Sequence, residues 1–272
     1  MAVVTDEAMI LGAFQRAAGL PSSPCTLDRR GSGGPEVRVG SGTVYVGLAL
    51  AQPGALIPCD ERRIVNRYVR PLLRGLTRAG HLAHHFGRDW VSVAHRPVAW
   101  VGFGHDAGTR RTLVEAFVAV RTPFAWTERA SFLGKAHGTL ESIGGRPVDA
   151  AALAERIVEA YARDVPSDGL PWPEPATRQT LPDPLDPPWA ATTDEAIGAL
   201  GAGPDAAGAF RIGGDLLVSR DALARLESRL ATTEDADVAR VIDETLAAPG
   251  VALDGVRSLA SVRDVVLRAR QG

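Results

Sequence analysis

Arg29-Arg30-Gly31-Ser32-Gly33-Gly34-Pro35 is the stretch of this 272-residue chain whose residue types and spacing suit chemistry. Glycines let backbone N–H groups approach an anion, and paired guanidiniums clamp it, so the pattern fits a cradle for a phosphate or acyl-phosphate. The alternative reading is a surface turn with two solvated arginines. Three further groups have nucleophilic or titratable chemistry. Cys59 precedes a helical pattern, where the helix dipole lowers a thiol pKa; its other reading is a small, partly buried side chain. Lys135 is the only lysine, in a loop-like segment from Ser131 to Gly138, and is otherwise a surface residue. His84 and His85 are adjacent, but no HExxH or comparable ligand spacing occurs, so they read as helix-end or loop residues.

These groups need elements to position them. A short helix is expected from Asp6 to Ala18, ended by Pro21 and Pro24. The run Thr43 to Leu50 reads as a buried strand, stopped at Pro53-Gly54. With Asp60 as N-cap, Ile64, Val65, Tyr68, Val69, Leu72, Leu73 and Leu76 repeat at helical spacing until Gly80, with a kink or break expected at Pro71. Arg62, Arg63, Arg67, Arg70 and Arg74 lie mainly on the solvated side. Trp90 to Val93 and Val98 to Phe103 form a hairpin across residues 94–97. Thr112 to Val120 reads as a strand, with helix left open, and Asp149 caps a helix from Ala150 to Ala162.

Prolines at 166, 171, 173, 175, 182, 184, 187 and 188 mark a linker. Beyond it, residues 209–212 and 216–219 flank Gly213-Gly214-Asp215 as a hairpin, followed by helices capped by Asp221 and Ser258 and a helical stretch containing Glu234, with a short helix before them from Thr193 to Leu200. The expected organisation is α+β, with a first domain at 1–165, a linker at 166–190 and a small second domain at 191–272.

Hydrophobic content of 45%, charged content of 23% and a net charge of -2 describe an ordinary folded chain without the basic footprint of a nucleic-acid binder. Two cysteines without CxxC spacing argue against a disulfide framework or a zinc site and for a reducing, cytoplasmic compartment. No export signal or membrane-spanning stretch is read.

Taken in order, the pieces resemble the lipoate-protein ligase family, within the wider biotin and lipoate ligase fold. The family's Arg-Arg-x-Ser-Gly-Gly-Gly loop matches Arg29 to Pro35. Its Asn-Arg pair matches Asn66-Arg67, its Gly-Arg-Asn-Asp segment matches Gly87-Arg88-Asp89, and its Gly-Arg-Lys hairpin falls on His95-Arg96-Pro97 before Val98 to Gly102. Gly144-Gly145-Arg146-Pro147-Val148-Asp149 resembles the close of the family's first domain, and Gly213-Gly214-Asp215 with Leu226 to Leu230 resembles its accessory domain. The resemblance implies a class II synthetase-like mixed sheet, activation of lipoate or octanoate by ATP and Mg to an acyl-adenylate, and transfer to a lysine of a lipoyl carrier domain, with a related ligase subunit as another partner. It implies Arg29, Arg30, Ser32, Gly33, Gly34, Asp89 and Lys135 as substrate-binding residues; Asp89 is equally a turn residue before a strand.

The departures fall on the chemistry. Pro97 stands where the family has the lysine that stabilises charge on the acyl-phosphate. Pro35 replaces the loop's third glycine and lacks an N–H. Val39-Gly40 replaces the family's His-Asp. The expectation is therefore a ligase-like protein whose adenylation is impaired or lost. The alternative is an active ligase or acyltransferase in which Lys135, Arg96 or Cys59 takes over, although the motif context of the related cysteine-dependent octanoyltransferases is absent.

Overall fold

The chain begins with two strands, β1 (Ala2–Val4) and β2 (Ala8–Leu11), and not with the helix expected from Asp6 to Ala18. Four apolar residues in succession are too few for an isolated helix to bury, whereas a strand there is paired on both edges. β3 (Thr26–Arg29) runs parallel to β2, and β4 (Val37–Val39) runs antiparallel to it. The glycine loop joining β3 to β4 therefore passes over the end of β2. The structure, a computed structural model, describes residues 1–18, 26–126, 128–163 and 187–272. Cys25 and most of the expected linker lie outside the described residues.

β5 (Thr43–Leu50) is the expected strand. Asp60 then caps a 3-10 turn by accepting from the Arg62 N–H at 3.1 Å, and α1 (Ile64–Arg78) continues from it. Pro71 cannot supply the N–H that the Arg67 carbonyl would take, yet α1 is not broken there. Ile64, Val65, Tyr68, Val69, Leu72 and Leu76 are all buried, and that burial holds the helix together across the missing bond.

β6 (Ala83–His85), β7 (Trp90–Val93) and β8 (Arg96–His105) follow. The β7–β8 hairpin turns on two residues, Ala94 (φ 47) and His95 (φ 64), tighter than the four-residue connection expected. Pro97 thus lies within β8, opposite Ser92 and beside the register shift at Val91/Ser92, where a ladder tolerates a residue without an N–H. β9 (Thr112–Val118) resolves the strand-or-helix alternative as a strand. α2 (Leu140–Gly144) and α3 (Ala150–Ala162) complete this half, with Asp149 accepting from the Ala151 and Ala152 N–H groups.

Six of these strands form one antiparallel sheet in the order β1-β5-β9-β8-β7-β6. α1 and α3 pack together and touch β1, β5, β8 and β9. Trp100, Gly102 and Gly104 of β8 stand opposite Phe117, Glu115 and Leu113 of β9, and the glycine loop lies against this row.

After the undescribed segment come β10 (Ala191–Asp194), β11 (Ala199–Pro204) and β12 (Phe210–Gly214), a three-stranded antiparallel sheet. Residues 193–200 are thus not helical. β13 (Leu217–Val218) does not pair with β12 across Gly213 to Asp215 as expected, but with a strand far along the chain. α4 (Arg220–Leu230) has Ser219 at its N-cap, with Asp221 inside its first turn; α5 (Val238–Leu246), β14 (Leu253–Asp254), which is the partner of β13, and α6 (Leu259–Gln271) close the fold. Strand pairing wins here because Gly213 and Gly214 let β12 lie close against β11 and against Phe14. Among the described residues, no helix is long and apolar enough to cross a membrane.

Two apolar clusters result. One surrounds Tyr68, Leu72, Trp90, Trp100, Phe103 and Phe124, and it also takes in Ile197, Leu217 and Ala252. The other runs from Leu200 to Ala269 and packs Phe14 at its margin. Arg16 ties the two stretches together: its guanidinium stacks on Trp189 at 3.6 Å and donates to the Gly203 carbonyl at 3.1 Å.

The closest approach of α1 and α3 gives a test. A Cβ at Gly75 would lie 2.8 Å from the Ile157 Cα, so contact requires a residue without one. Alanine is the better helix former by roughly 1 kcal/mol. Overpacking outweighs that gain, and Gly75→Ala is expected to destabilise the fold by about 1–3 kcal/mol. Urea melts will show a lower midpoint at unchanged slope; a midpoint at or above that of the wild type refutes the packing argument.

Candidate functional site

Arg30 is the centre of the candidate site, and it is buried, at 6% exposure. β3 delivers it to the end of β2, where its guanidinium is enclosed by carbonyl oxygens. Nη1 donates to Ile10 O at 2.9 Å, Nη2 to Gly33 O at 2.8 Å and Pro35 O at 2.6 Å, and Nε to Ser32 Oγ at 3.1 Å. The face of the guanidinium lies 3.9 Å from the centroid of the Trp100 ring. Burial pulls its pKa down to about 10, opposed mainly by the charge of Glu115, so it remains a cation at neutral pH. Arg29 points the other way, donating through Nη1 to Gly12 O at 2.9 Å and Gln15 O at 2.6 Å.

Three backbone donors of the loop are committed as well. Ser32 N–H donates to Glu115 Oε2 at 2.9 Å, Gly33 N–H to Phe103 O at 3.1 Å and Gly34 N–H to Leu216 O at 2.7 Å. Pro35 has no N–H. The loop continues the sheet beyond the start of β7, with Val101 N–H donating to Asp89 O at 2.8 Å between them. An anion arriving at this loop finds donors already engaged with the fold. The resemblance implies ATP and Mg, and the Arg30, Ser32, Gly33 and Gly34 donors named above, which would meet a phosphate, are engaged within the fold. Asp89 is a single carboxylate at this position: among the described residues no group of three or more His, Cys, Asp or Glu side chains is placed to hold a metal.

Asp89 is buried at 2% exposure, and its Oδ1 has no hydrogen-bond partner among the described residues. Burial raises its pKa to about 7, although Arg129 and Arg30 pull it down. Arg129 donates through Nη2 to Glu36 O and, at 3.3 Å, to Glu36 Oε1, and its Nη1 is buried without a partner among the described residues. Gln15 extends the polar seam by donating to Glu36 Oε2 at 3.0 Å and Asp215 Oδ1 at 2.7 Å. Burial, with Glu36 nearby, lifts Asp215 to about 6.

The candidate residues therefore divide. Arg30, Ser32, Gly33 and Gly34 form one unit, and Asp89 interacts electrostatically with Arg30. Lys135 stands apart, half-buried, with Nζ 4.9 Å from the Phe86 ring and 5.3 Å from the Trp90 ring. Its N–H closes a turn onto Phe132 O through Leu133 (φ 56) and Gly134 (φ 74). This loop docks on the β7–β8 hairpin: Gly138 N–H donates to Pro97 O at 2.9 Å, and Arg96 donates to His137 O at 2.8 Å. Arg96 is thus engaged in holding the loop. Cys59 donates to Pro53 O at 3.1 Å, and burial, followed by Asp60, pushes its thiol pKa up and not down. The helix-dipole argument fails for this cysteine.

Sequence reasoning missed Trp100, Glu115, Tyr45 and Gln15. Glu115 had a signal: it is the one charge in the apolar run Thr112 to Val118, it is buried at 4%, and it accepts from Tyr45 Oη at 2.9 Å. That bond and the burial together push the Tyr45 pKa up.

The two raised aspartates set a pH dependence. A carboxyl whose pKa rises from 3.8 to about 7 on folding stabilises the fold most fully below pH 3.8, and that contribution is lost as pH climbs through about 7. Asp89→Asn, neutral at every pH, is expected to flatten the fall in stability across this window. It should be more stable than the wild type at pH 8 by on the order of 1–3 kcal/mol. Denaturant melts at pH 5 and pH 8 measure it; an equal pH slope in both proteins removes Asp89 as its source.

No protein-family model and no curated relative matches the sequence. Solved structures do match. P. falciparum LipL1 in complex with lipoate aligns with 96% of this chain and 84% of its own at 12% identity, with a TM-score of 0.60. The bipartite lipoate protein ligase of Thermoplasma acidophilum aligns with 58% of this chain and 68% of its own at 13% identity and a TM-score of 0.48. A lipoate-protein ligase A bound with ATP aligns with 58% of this chain and 69% of its own at 13% identity and a TM-score of 0.47. The LipL1 alignment spans both apolar clusters, and with the antiparallel sheet and its packed helices it gives this α+β chain the fold of the lipoate-protein ligases.

Proposed function

We infer that this protein is a lipoate-protein-ligase-like binder that holds a lipoate- or octanoate-type acyl ligand, its adenylate, or a lipoyl carrier domain, without efficient activation of the acid. The observation that carries the reading is the commitment of the loop's donors: four Arg30 hydrogen bonds and the Ser32, Gly33 and Gly34 N–H groups all end inside the fold. Acyl activation needs preorganised donors and cations aimed at the charge that develops on the phosphate. Pro97, within β8, supplies neither. In this reading residues 1–165 form the ligand-binding part, 166–190 the linker and 191–272 an accessory domain, and the protein works in the cytoplasm, as its cysteine usage suggests. A related ligase subunit is the other partner the reading allows.

One observation favours a second reading, in which the enzyme is active. The loop carrying Lys135 is hydrogen-bonded to Pro97, and its ammonium lies over Trp90, the neighbour of Asp89. A cation is thus supplied next to the hairpin where the resemblance places one. Arg96 and Cys59 gain no such support.

The assay combines the protein with ATP, Mg, lipoate or octanoate and a lipoyl carrier domain, following pyrophosphate and carrier mass. No acylated carrier is expected. Turnover on the order of 1 per second or faster overturns the impaired reading. If that turnover then falls by about 100-fold or more in Lys135→Ala, the second reading holds.

A further inference from the structure

The slot between the glycine loop and the large sheet is filled by one side chain of the protein itself. Trp100 is fully buried, at 0% exposure, with its indole between Gly34 and Gly102. A Cβ at Gly34 would lie 2.8 Å from Trp100 Cζ2, and one at Gly102 would lie 2.4 Å from the same atom. Two residues without side chains, one on the loop and one on β8, leave a space that the six-membered ring occupies. Gly34 also has φ 90, which a larger residue adopts only with strain. The Arg30 guanidinium covers one face of the indole, and Phe117 lies alongside at 5.9 Å between ring centroids.

Among the described residues the ring is held by shape and by the cation on its face, and by no hydrogen bond. Trp100 Nε1 is buried without a partner among the described residues. A buried indole N–H ordinarily finds an acceptor. Displacing this ring therefore breaks no hydrogen bond, and the N–H is a free donor for an oxygen that comes to lie beside it.

We propose that Trp100 decides which acyl chain this site admits: the indole fills the apolar slot between Gly34 and Gly102, so a straight medium-length fatty acid enters only when the ring is trimmed or displaced. The inference rests on the lipoate-ligase reading in taking the occupant to be an acyl chain. It also separates the two branches of that reading, because a protein whose slot is closed is left with the carrier domain as its partner.

The experiment uses the full chain as wild type, Trp100→Gly and Trp100→Leu, each checked for native circular dichroism. Octanoate is titrated by calorimetry, and indole is added in thermal melts. The variants are expected to bind octanoate at least about tenfold more tightly than the wild type, a difference of about 1.4 kcal/mol. Indole is expected to raise the melting temperature of Trp100→Gly and to compete with octanoate, since an emptied apolar site takes up a ligand of matching shape. Wild-type protein binding octanoate as tightly as the variants overturns the role of Trp100 while supporting an acyl-binding function. Indole uptake without octanoate binding shows that the slot is real and not for acyl chains, which overturns the proposal and leaves carrier capture to its own assay. Trp100→Leu carries the same comparison if Trp100→Gly does not fold.

Discussion

The buried guanidinium of Arg30 is the interaction on which the rest of this structure depends. A cation removed from water is tolerated only when its donors are met and its charge is balanced. Here β2 supplies Ile10 O, the loop supplies Gly33 O, Pro35 O and Ser32 Oγ, and β8 supplies the face of Trp100. Meeting those demands fixes the loop's path over the end of β2 and against the sheet. The loop N–H groups are then aimed at Glu115, Phe103 and Leu216. An arginine that organises its surroundings this thoroughly has given up most of its capacity to greet an incoming anion.

The same burial joins the two halves of the chain. Gly34 reaches across to Leu216, and Arg220 Nη2 donates to Gly31 O at 3.2 Å, so residues beyond the undescribed segment close the loop from outside. Gln15 repeats the pattern from β2's side, bridging Glu36 and Asp215. Asp221 adds a third tie by accepting from the Ala107 and Gly108 N–H groups at 2.7 and 3.1 Å. The Gly34 and Gln15 contacts satisfy polar groups away from solvent, whereas the Arg220 and Gly108 contacts close the loop at the surface.

Much of the sheet was legible because its signals are local. Thr43 to Leu50, the Trp90 hairpin, α1 and the Asp149-capped helix all announce themselves through periodicity, caps and turn residues. The stretch from Asp6 to Ala18 did not, since a short apolar run has no period of its own and takes its conformation from the strands on either side. The pairing of β13 with β14 is non-local in the same way. The glycine loop was visible as a pattern, but whether its arginines face solvent or carbonyl oxygens depends on β2 and β8, which sequence order does not place beside it. Trp100 was invisible for the complementary reason: its meaning lies in two glycines, one of them far away in the chain.

Charge balance argues further against nucleotide chemistry at this face. Arg30 and Arg129 interact with Glu36, Asp89, Glu115 and Asp215, so carboxylates outnumber the guanidiniums among these mutually interacting groups. Burial with too few cations is what lifts Asp89 to about 7 and Asp215 to about 6, because taking up a proton is the cheapest relief. A triphosphate would bring several more negative charges into this environment and would raise those pKa values again. A lipoate- or octanoate-type acid brings a single carboxylate on an otherwise apolar chain. The electrostatics therefore rank the ligands in the same order as the geometry does, with apolar chains or a protein surface ahead of a polyanion.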